Sequence, residues 1–282
     1  MNIIGLGKAG CAIADSLGEY PQYKKIKIDV DISGKGCYTL PTFENAEDYE
    51  NYDYPKLKSF LKDLKGQTVF VLAGSGTSSC ASLRILEHLR RLPISILYIQ
   101  PDLELLTEKQ NLQERVVFHV LQEYARSGVF EEMCIISNTS LDTALGGAPI
   151  LGYYEKLNEI LINTIHMINI FRNSEPVLGN IGDSKQTHRI FTVGIFDPKK
   201  DSEKMLFSLD NARERCYIYG INEDKLKTDT HLLSKLKKQI NSKSKENLAI
   251  SYAVYSTEYD NDIGYIIEKT PHPQQRKKTN IN

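Results

Sequence analysis

The 282-residue sequence has no stretch approaching the roughly twenty consecutive apolar residues that a membrane-spanning helix needs. No window resembles a signal peptide: Met1-Asn2-Ile3-Ile4 runs straight into a strand and a glycine loop. Neither sign of charge is in excess. The 35 Lys and Arg face 36 Asp and Glu, a formal net charge of -1, which removes any global reason to bind nucleic acid or an acidic membrane. The five cysteines (Cys11, Cys37, Cys80, Cys134, Cys216) are odd in number, scattered and without a Cys-x-x-Cys pair. That argues for reduced thiols over a disulfide frame or a zinc site. The six histidines never pair at i+3 or i+4, so no helix carries a two-histidine metal motif. These absences predict a soluble, intracellular chain that does not insert in a membrane. Core material is plentiful: 41% hydrophobic residues suffice for one large domain or two smaller ones.

The stretch around which the chain is organised is Phe70-Val71-Leu72-Ala73-Gly74-Ser75-Gly76-Thr77-Ser78-Ser79. A short apolar run, Thr68 to Leu72, reads as a buried strand. It breaks into a loop of glycines and small hydroxyl residues, which opens a helix from Cys80 to Arg91. Strand, small-residue loop and helix start form a phosphate-binding geometry: glycine lets the backbone approach an anion, and the first N–H groups of the helix point at it. Ser75, Thr77, Ser78 and Ser79 add hydroxyls for an anion or a metal ion. A tight βα turn that binds nothing presents the same pattern.

A second such element lies at the start. Asn2 to Ile4 is a strand, Gly5-Leu6-Gly7-Lys8-Ala9-Gly10 a literal G-x-G-x-x-G, and Cys11 to Leu17 a helix. A strand from Lys25 to Val30 ends in Asp29 and Asp31, about twenty residues after the glycines, as in a dinucleotide-binding βαβ unit. Ile32 to Pro55 reads as an irregular surface connection with a turn at Ser33-Gly34-Lys35-Gly36. A short helix (Pro55 to Lys65), a strand (Ile94 to Ile99), a long amphipathic helix (Leu105 to Ser127) and a strand (Glu132 to Ser137) ending in a turn at Asn138 follow. After Gly146-Gly147-Ala148-Pro149, Ile150 to Phe171 forms a long helix, apolar over more than half its circumference and so packed on both sides. Beyond the loop from Asn173 to Gly182, Arg189 to Phe196 and Arg215 to Tyr219 read as strands and Lys225 to Asn241 as a basic helix. Leu248 to Ser256 and Gly264 to Glu268 read as a closing antiparallel pair. The tail from Thr270, with Arg276-Lys277-Lys278, holds little that packs and reads as disordered.

Two glycine loops on different strands, an Asn-bearing turn and a long central helix, in that order from Met1 to Phe171, resemble the tubulin/FtsZ family of GTP-binding filament proteins. The compact form resembles its phage and plasmid members more than its cell-division members. The resemblance implies an α/β fold with a Rossmann-like parallel-sheet GTP-binding domain (1–148), a central helix (149–172), a smaller α+β C-terminal domain (173–269) and a disordered basic tail (270–282). It implies GTP or GDP as ligand, with magnesium. Gly5, Gly7, Lys8, Gly10 and Cys11 match the family's first loop. Gly74, Ser75, Gly76, Thr77 and Ser78 match its signature loop, with Ala73 and Ser78 replacing glycines. Asn138 matches an Asn near the nucleotide, and Glu108 a ribose-contacting acid. Tyr154 and Asn158, four apart on one helix face, match a ring that stacks on guanine and an amide that reads its edge. The family hydrolyses GTP when a neighbouring subunit offers an acidic loop, Asn-x-Asp-x-x-Asp. Here Asn180 matches, Gly182 stands at the next acid position and Asp183 falls one residue late. A cytoplasmic head-to-tail homopolymer in a bacterial or phage-infected cell is the implied assembly, with weak interfacial GTPase activity and the tail open to a DNA-linked or cargo adaptor. A non-hydrolysing structural or regulatory relative with reduced nucleotide binding is one alternative. An NAD-dependent oxidoreductase built on Gly5, Gly7, Gly10 and Asp29 or Asp31 is another, although no hydride-transfer motif follows.

Overall fold

The computed structural model describes residues 1–182 and 186–276. The chain divides into two compact units, Met1–Thr139 with Pro273–Asn282, and Ser140–His272.

The first unit runs β1 (Asn2–Leu6), α1 (Gly7–Leu17), β2 (Lys24–Asp29), β3 (Cys37–Thr39), α2 (Ala46–Asn51), α3 (Leu57–Leu61) and β4 (Thr68–Ala73). A 3-10 turn (Thr77–Ala81) leads into α4 (Ser82–Leu89). Then come β5 (Ile94–Gln100), α5 (Glu108–Arg126) and β6 (Glu132–Ser137), and α6 (Asn138–Leu145) opens directly at Asn138 where a turn was expected. The six strands are parallel, in the spatial order β3-β2-β1-β4-β5-β6. β1, β4, β5 and β6 are nearly continuous apolar runs, as strands covered on both faces must be. Helix α1 lies unusually close to the sheet. A Cβ on Gly5 would sit 2.2 Å from Gly10 O, and one on Gly10 would sit 2.4 Å from Val71 O. α5 is started by Thr107, whose Oγ1 accepts the Gln110 N–H at 3.3 Å while Gln110 Oε1 accepts the Thr107 N–H at 3.0 Å.

Residues 32–55 are not the surface connection that their composition predicts. They contain β3 and α2, and Tyr49 and Tyr54 are each only 1% exposed. Tyr54 Oη donates to Tyr49 O at 2.5 Å, and Phe43 meets Tyr49 edge to face. The chain's end differs from expectation as well. Gln274 is fully buried against Gln122 of α5, and Arg276 pairs with Glu114. The reason is that α5 carries two fully buried polar side chains, Glu114 and Gln122, which need partners. Residues 277–282, including Lys277 and Lys278, lie outside the described residues.

The second unit holds most of α6 and then α7 (Tyr153–Arg172), β7 (Leu178–Asn180), β8 (Ile190–Asp197), β9 (Ser202–Met205) and β10 (Glu214–Asn222). It closes with α8 (Glu223–Thr228), α9 (Leu232–Ser242), β11 (Ala249–Thr257) and β12 (Ile263–Thr270). The strands are ordered β8-β12-β10-β11-β7, with β9 on β8. β11 and β12 do not pair with each other. Both flank β10, β11 in parallel and β12 antiparallel, so the expected closing hairpin is absent. The expected basic helix is two helices, broken where Asp229 Oδ1 accepts the His231 N–H at 3.0 Å. α9 covers the sheet through Leu232 and Leu236, against Phe196, Tyr217, Tyr219, Val254 and Ile266. α7 buries Leu157, Leu161, Ile168 and Phe171, while Ile150 and Leu151, 94% and 91% exposed, precede it. Among the described residues no helix is long and apolar enough to cross a membrane.

Candidate functional site at the sheet's switch point

In the first unit the chain lays β2 and β3 on one side of β1, then returns to lay β4, β5 and β6 on the other. The strand order therefore reverses between β1 and β4. In open parallel sheets ligands bind just beyond the carboxyl ends of the strands at such a reversal. Both glycine loops leave the sheet there, because Leu6 of β1 is in register with Leu72 of β4.

The two loops lie side by side. Gly7 opens α1 with φ +72°, and a Cβ on it would lie 3.7 Å from Ser78 Cβ. Lys8 is exposed beside it, and Gly10 is buried beneath. In the second loop Gly76 and Thr77 are exposed, whereas Ser78 and Ser79 are buried. Thr77 begins the 3-10 turn, whose first N–H groups have no acceptor within the turn. The loop is clamped from three directions. Ser78 Oγ donates to Asp29 Oδ1 at 2.7 Å, and the same oxygen accepts the Val30 N–H at 2.9 Å. Ser79 Oγ lies 2.8 Å from Gly74 O and 2.6 Å from Gly76 O. The Gln113 amide on α5 donates to Gly76 O, and to Ser79 Oγ at 3.0 Å. Beneath the loop, a Cβ on Gly74 would collide with Tyr98 Oη at 1.9 Å.

The other predicted residues divide by unit. Asn138, half-buried, follows Ser137, which is in register with Gln100 at the end of β5, so it lies at the same strand ends. Glu108 is exposed in the first turn of α5, beyond the end of β5. The Cys11 thiol does not offer itself as a contact: it is 6% exposed and donates inward to Gly5 O (3.5 Å) and Ile28 O (3.7 Å). Burial pushes that thiol up to about 12 and the Cys80 thiol up to about 11, so both stay protonated near neutral pH. In the second unit, Tyr154 is 58% exposed and Asn158 half-buried, both on α7. Tyr153 meets Tyr154 edge to face at 5.3 Å. Asn180 is exposed on the short edge strand β7, in register with Tyr252. Gly182 takes φ +77°, and Asp183 lies outside the described residues.

Sequence reasoning missed the supports of this site. Nothing in the sequence marks Gln113, Tyr98 or Glu114. Asp29 was legible only as an acid ending β2. Its carboxylate, which a dinucleotide reading would give to a ribose, instead holds Ser78.

No family model matches the sequence, and no curated protein matches it. Solved structures match over nearly the whole chain. The GTPγS-form protofilament of TubZ from Bacillus thuringiensis serovar israelensis is 14% identical with a TM-score of 0.72, covering 95% of this chain and 86% of that one. The empty FtsZ dimer of M. jannaschii is 13% identical with a TM-score of 0.69, covering 95% and 87%. CetZ1 from Haloferax volcanii, a GDP-bound monomer, is 13% identical with a TM-score of 0.63, covering 94% and 92%. The chain thus has the α/β fold of the tubulin-like filament proteins, and the sequence-level resemblance and the fold agree.

Proposed function

We propose that this chain is a tubulin/FtsZ-type protein that holds GTP or GDP at the β1/β4 switch point and self-associates head to tail. The observation that carries the reading is the convergence of two glycine loops, Gly5 to Gly10 and Gly74 to Ser78, at one reversal of strand order. A dinucleotide enzyme needs one such loop, whereas a triphosphate has more charge to distribute over amides and helix starts. Gly7, Lys8 and the second loop take the phosphates, while buried Gly5 and Gly10 let α1 approach the sheet closely enough to bring its start there. The hydroxyls of Ser75 and Thr77 are the available protein ligands for a magnesium ion carried on them, because Ser78 and Ser79 are already engaged. Glu108 takes the ribose, Asn138 lies near the nucleotide, Tyr154 stacks on guanine and Asn158 pairs with its edge.

Asn180 and Asp183 are offered to the nucleotide of the next subunit. A site completed by a neighbour is a heterologous contact and generates an open filament. TubZ from Bacillus thuringiensis is solved as a protofilament and as a two-stranded filament, which supports the assembly half of the reading. A second reading is favoured by Gly182 standing where an acid would activate water: a filament protein that binds nucleotide and turns it over weakly or not at all. Calorimetric titration with GTP, GDP, ATP and NADH tests the proposal. Guanine nucleotides bind preferentially if it holds, and preference for NADH overturns it. Binding without turnover at any protein concentration selects the second reading.

A further inference from the structure

The end of the chain returns to the first unit and is held by groups shielded from solvent. Gln122 of α5 clasps Gln274 from both sides. Its amide nitrogen donates to Gln274 O at 3.2 Å, and its oxygen accepts the Gln274 N–H at 2.6 Å. Two residues on, Arg276 Nε lies 2.5 Å from Glu114 Oε2, and Arg276 Nη2 donates to Asn111 Oδ1 at 2.7 Å. Glu114 is fully buried, and its second oxygen accepts the Tyr98 hydroxyl at 2.8 Å. Tyr98, also fully buried, packs its ring on Phe118 with centroids 5.2 Å apart. Its hydroxyl fills the space where Gly74 lacks a side chain, and Glu114 Cγ lies 3.1 Å from the same point. Gln113, the neighbour of Glu114, holds the far end of the same loop. A continuous line of contacts runs from Arg276 through Glu114 and Tyr98 to Gly74.

We propose that Arg276 is a positioning residue for the second glycine loop: docked on α5, the chain's C-terminal segment supplies the counter-charge for buried Glu114 and thereby fixes Tyr98 beneath Gly74. A carboxylate in the interior without a partner must take up a proton or admit water. Either response changes what Glu114 can accept from Tyr98, and Tyr98 has no slack because the Gly74 backbone rests on its hydroxyl. The link between tail and loop is a matter of contacts alone. Its consequence for nucleotide binding rests on the reading of the loop given above.

Hydrogen exchange followed by mass spectrometry on the full chain tests it. In Arg276→Ala the peptide spanning residues 73–80 is expected to exchange at least about tenfold faster, equivalent to about 1.4 kcal/mol. Arg276→Lys, which keeps the charge, returns the loop to within about threefold of the native rate. Tyr98→Phe, which cuts the link but keeps the ring, loosens the loop as well. In Glu114→Gln, which needs no counter-charge, adding Arg276→Ala changes loop exchange less than about twofold. Faster exchange confined to α5 and residues 273–276, with the loop unmoved in Arg276→Ala, overturns the proposal. So does a double variant as loose as Arg276→Ala alone. Titration with GTPγS separates the two readings: the coupling predicts affinity at least about fivefold weaker in Arg276→Ala. A native chain that binds no GTPγS refutes the nucleotide reading, while the exchange data still decide the coupling.

Discussion

Alanine at position 76 separates fold from ligand more cleanly than any other single change. Gly76 has φ -74° and ψ 143°, a backbone that any residue adopts. A Cβ built there meets nothing within 4 Å. Gly76→Ala therefore costs the fold less than about 0.5 kcal/mol, as an exposed substitution does. Restricting the unfolded chain even offers a gain of about 0.4–1 kcal/mol. The new methyl enters the open side of the loop, where the proposed phosphates lie. Forcing a methyl into an occupied site costs about 1–3 kcal/mol, which corresponds to a Kd raised about 5- to 150-fold. Gly10→Ala gives the opposite profile. Its Cβ would lie 2.4 Å from Val71 O, a backbone atom that cannot yield. Alanine's helix preference returns about 1 kcal/mol against an overpacking cost of about 1–3 kcal/mol, leaving a net loss of up to about 2 kcal/mol. Thermal melts read the fold, and calorimetric titration of GTPγS reads the site. A Gly76→Ala protein destabilised by more than about 1 kcal/mol, or one that binds GTPγS like the native chain, refutes the assignment of that open side to phosphate.

Further expectations follow from individual contacts. Ser78→Ala removes a buried hydroxyl bonded to the Asp29 carboxylate at 2.7 Å, and denaturant titration should register a loss of about 1–2 kcal/mol. Tyr154→Ala removes a side chain that is 58% exposed, so the melting curve stays within about 0.5 kcal/mol of native. GTP affinity, measured by calorimetric titration, should fall by about 5- to 150-fold, the worth of one base–ring stack. Burial pushes the Glu114 carboxyl above its ordinary range, against the pull of Tyr98 and Arg276. The folded state then holds a proton that the unfolded state releases, so native stability falls as pH rises from the ordinary carboxylate range through the raised value. Melting temperatures of Glu114→Gln and native protein, compared across that range, should diverge in the variant's favour with rising pH, and parallel curves would deny the shift.

What was legible in the sequence had a local chemical signature. Gly5, Gly7 and Gly10, and the loop at Gly74 to Ser78, stand out because close backbone approach admits few other residues. β4 and β6 stand out because a strand buried on both faces must be apolar throughout. What was not legible depends on partners far along the chain. Tyr49 and Tyr54 are separated by Glu50, Asn51, Tyr52 and Asp53 and have no helix or strand period, yet they lie buried together. β11 and β12 are neighbours in sequence and suggest a hairpin, but each pairs with β10. β9 is four residues, mostly polar, too short for a pattern. The segment from Pro273 to Arg276 is polar and reads as tail; the side-chain amides of Gln122 and Asn111 and an ion pair hold it, and composition does not register such bonds. At the site itself the two glycine loops were visible, but their supports at Gln113, Tyr98, Glu114 and Asp29 were not, because a support is defined by what it touches.

Sedimentation of the full chain with GTPγS, GDP or ATP across a range of protein concentrations tests the central claim most directly. Head-to-tail assembly through a nucleotide-completed contact predicts that, above a threshold concentration, protein pellets with GTPγS and stays in the supernatant with ATP. A single monomeric species at every concentration under saturating GTPγS would contradict it.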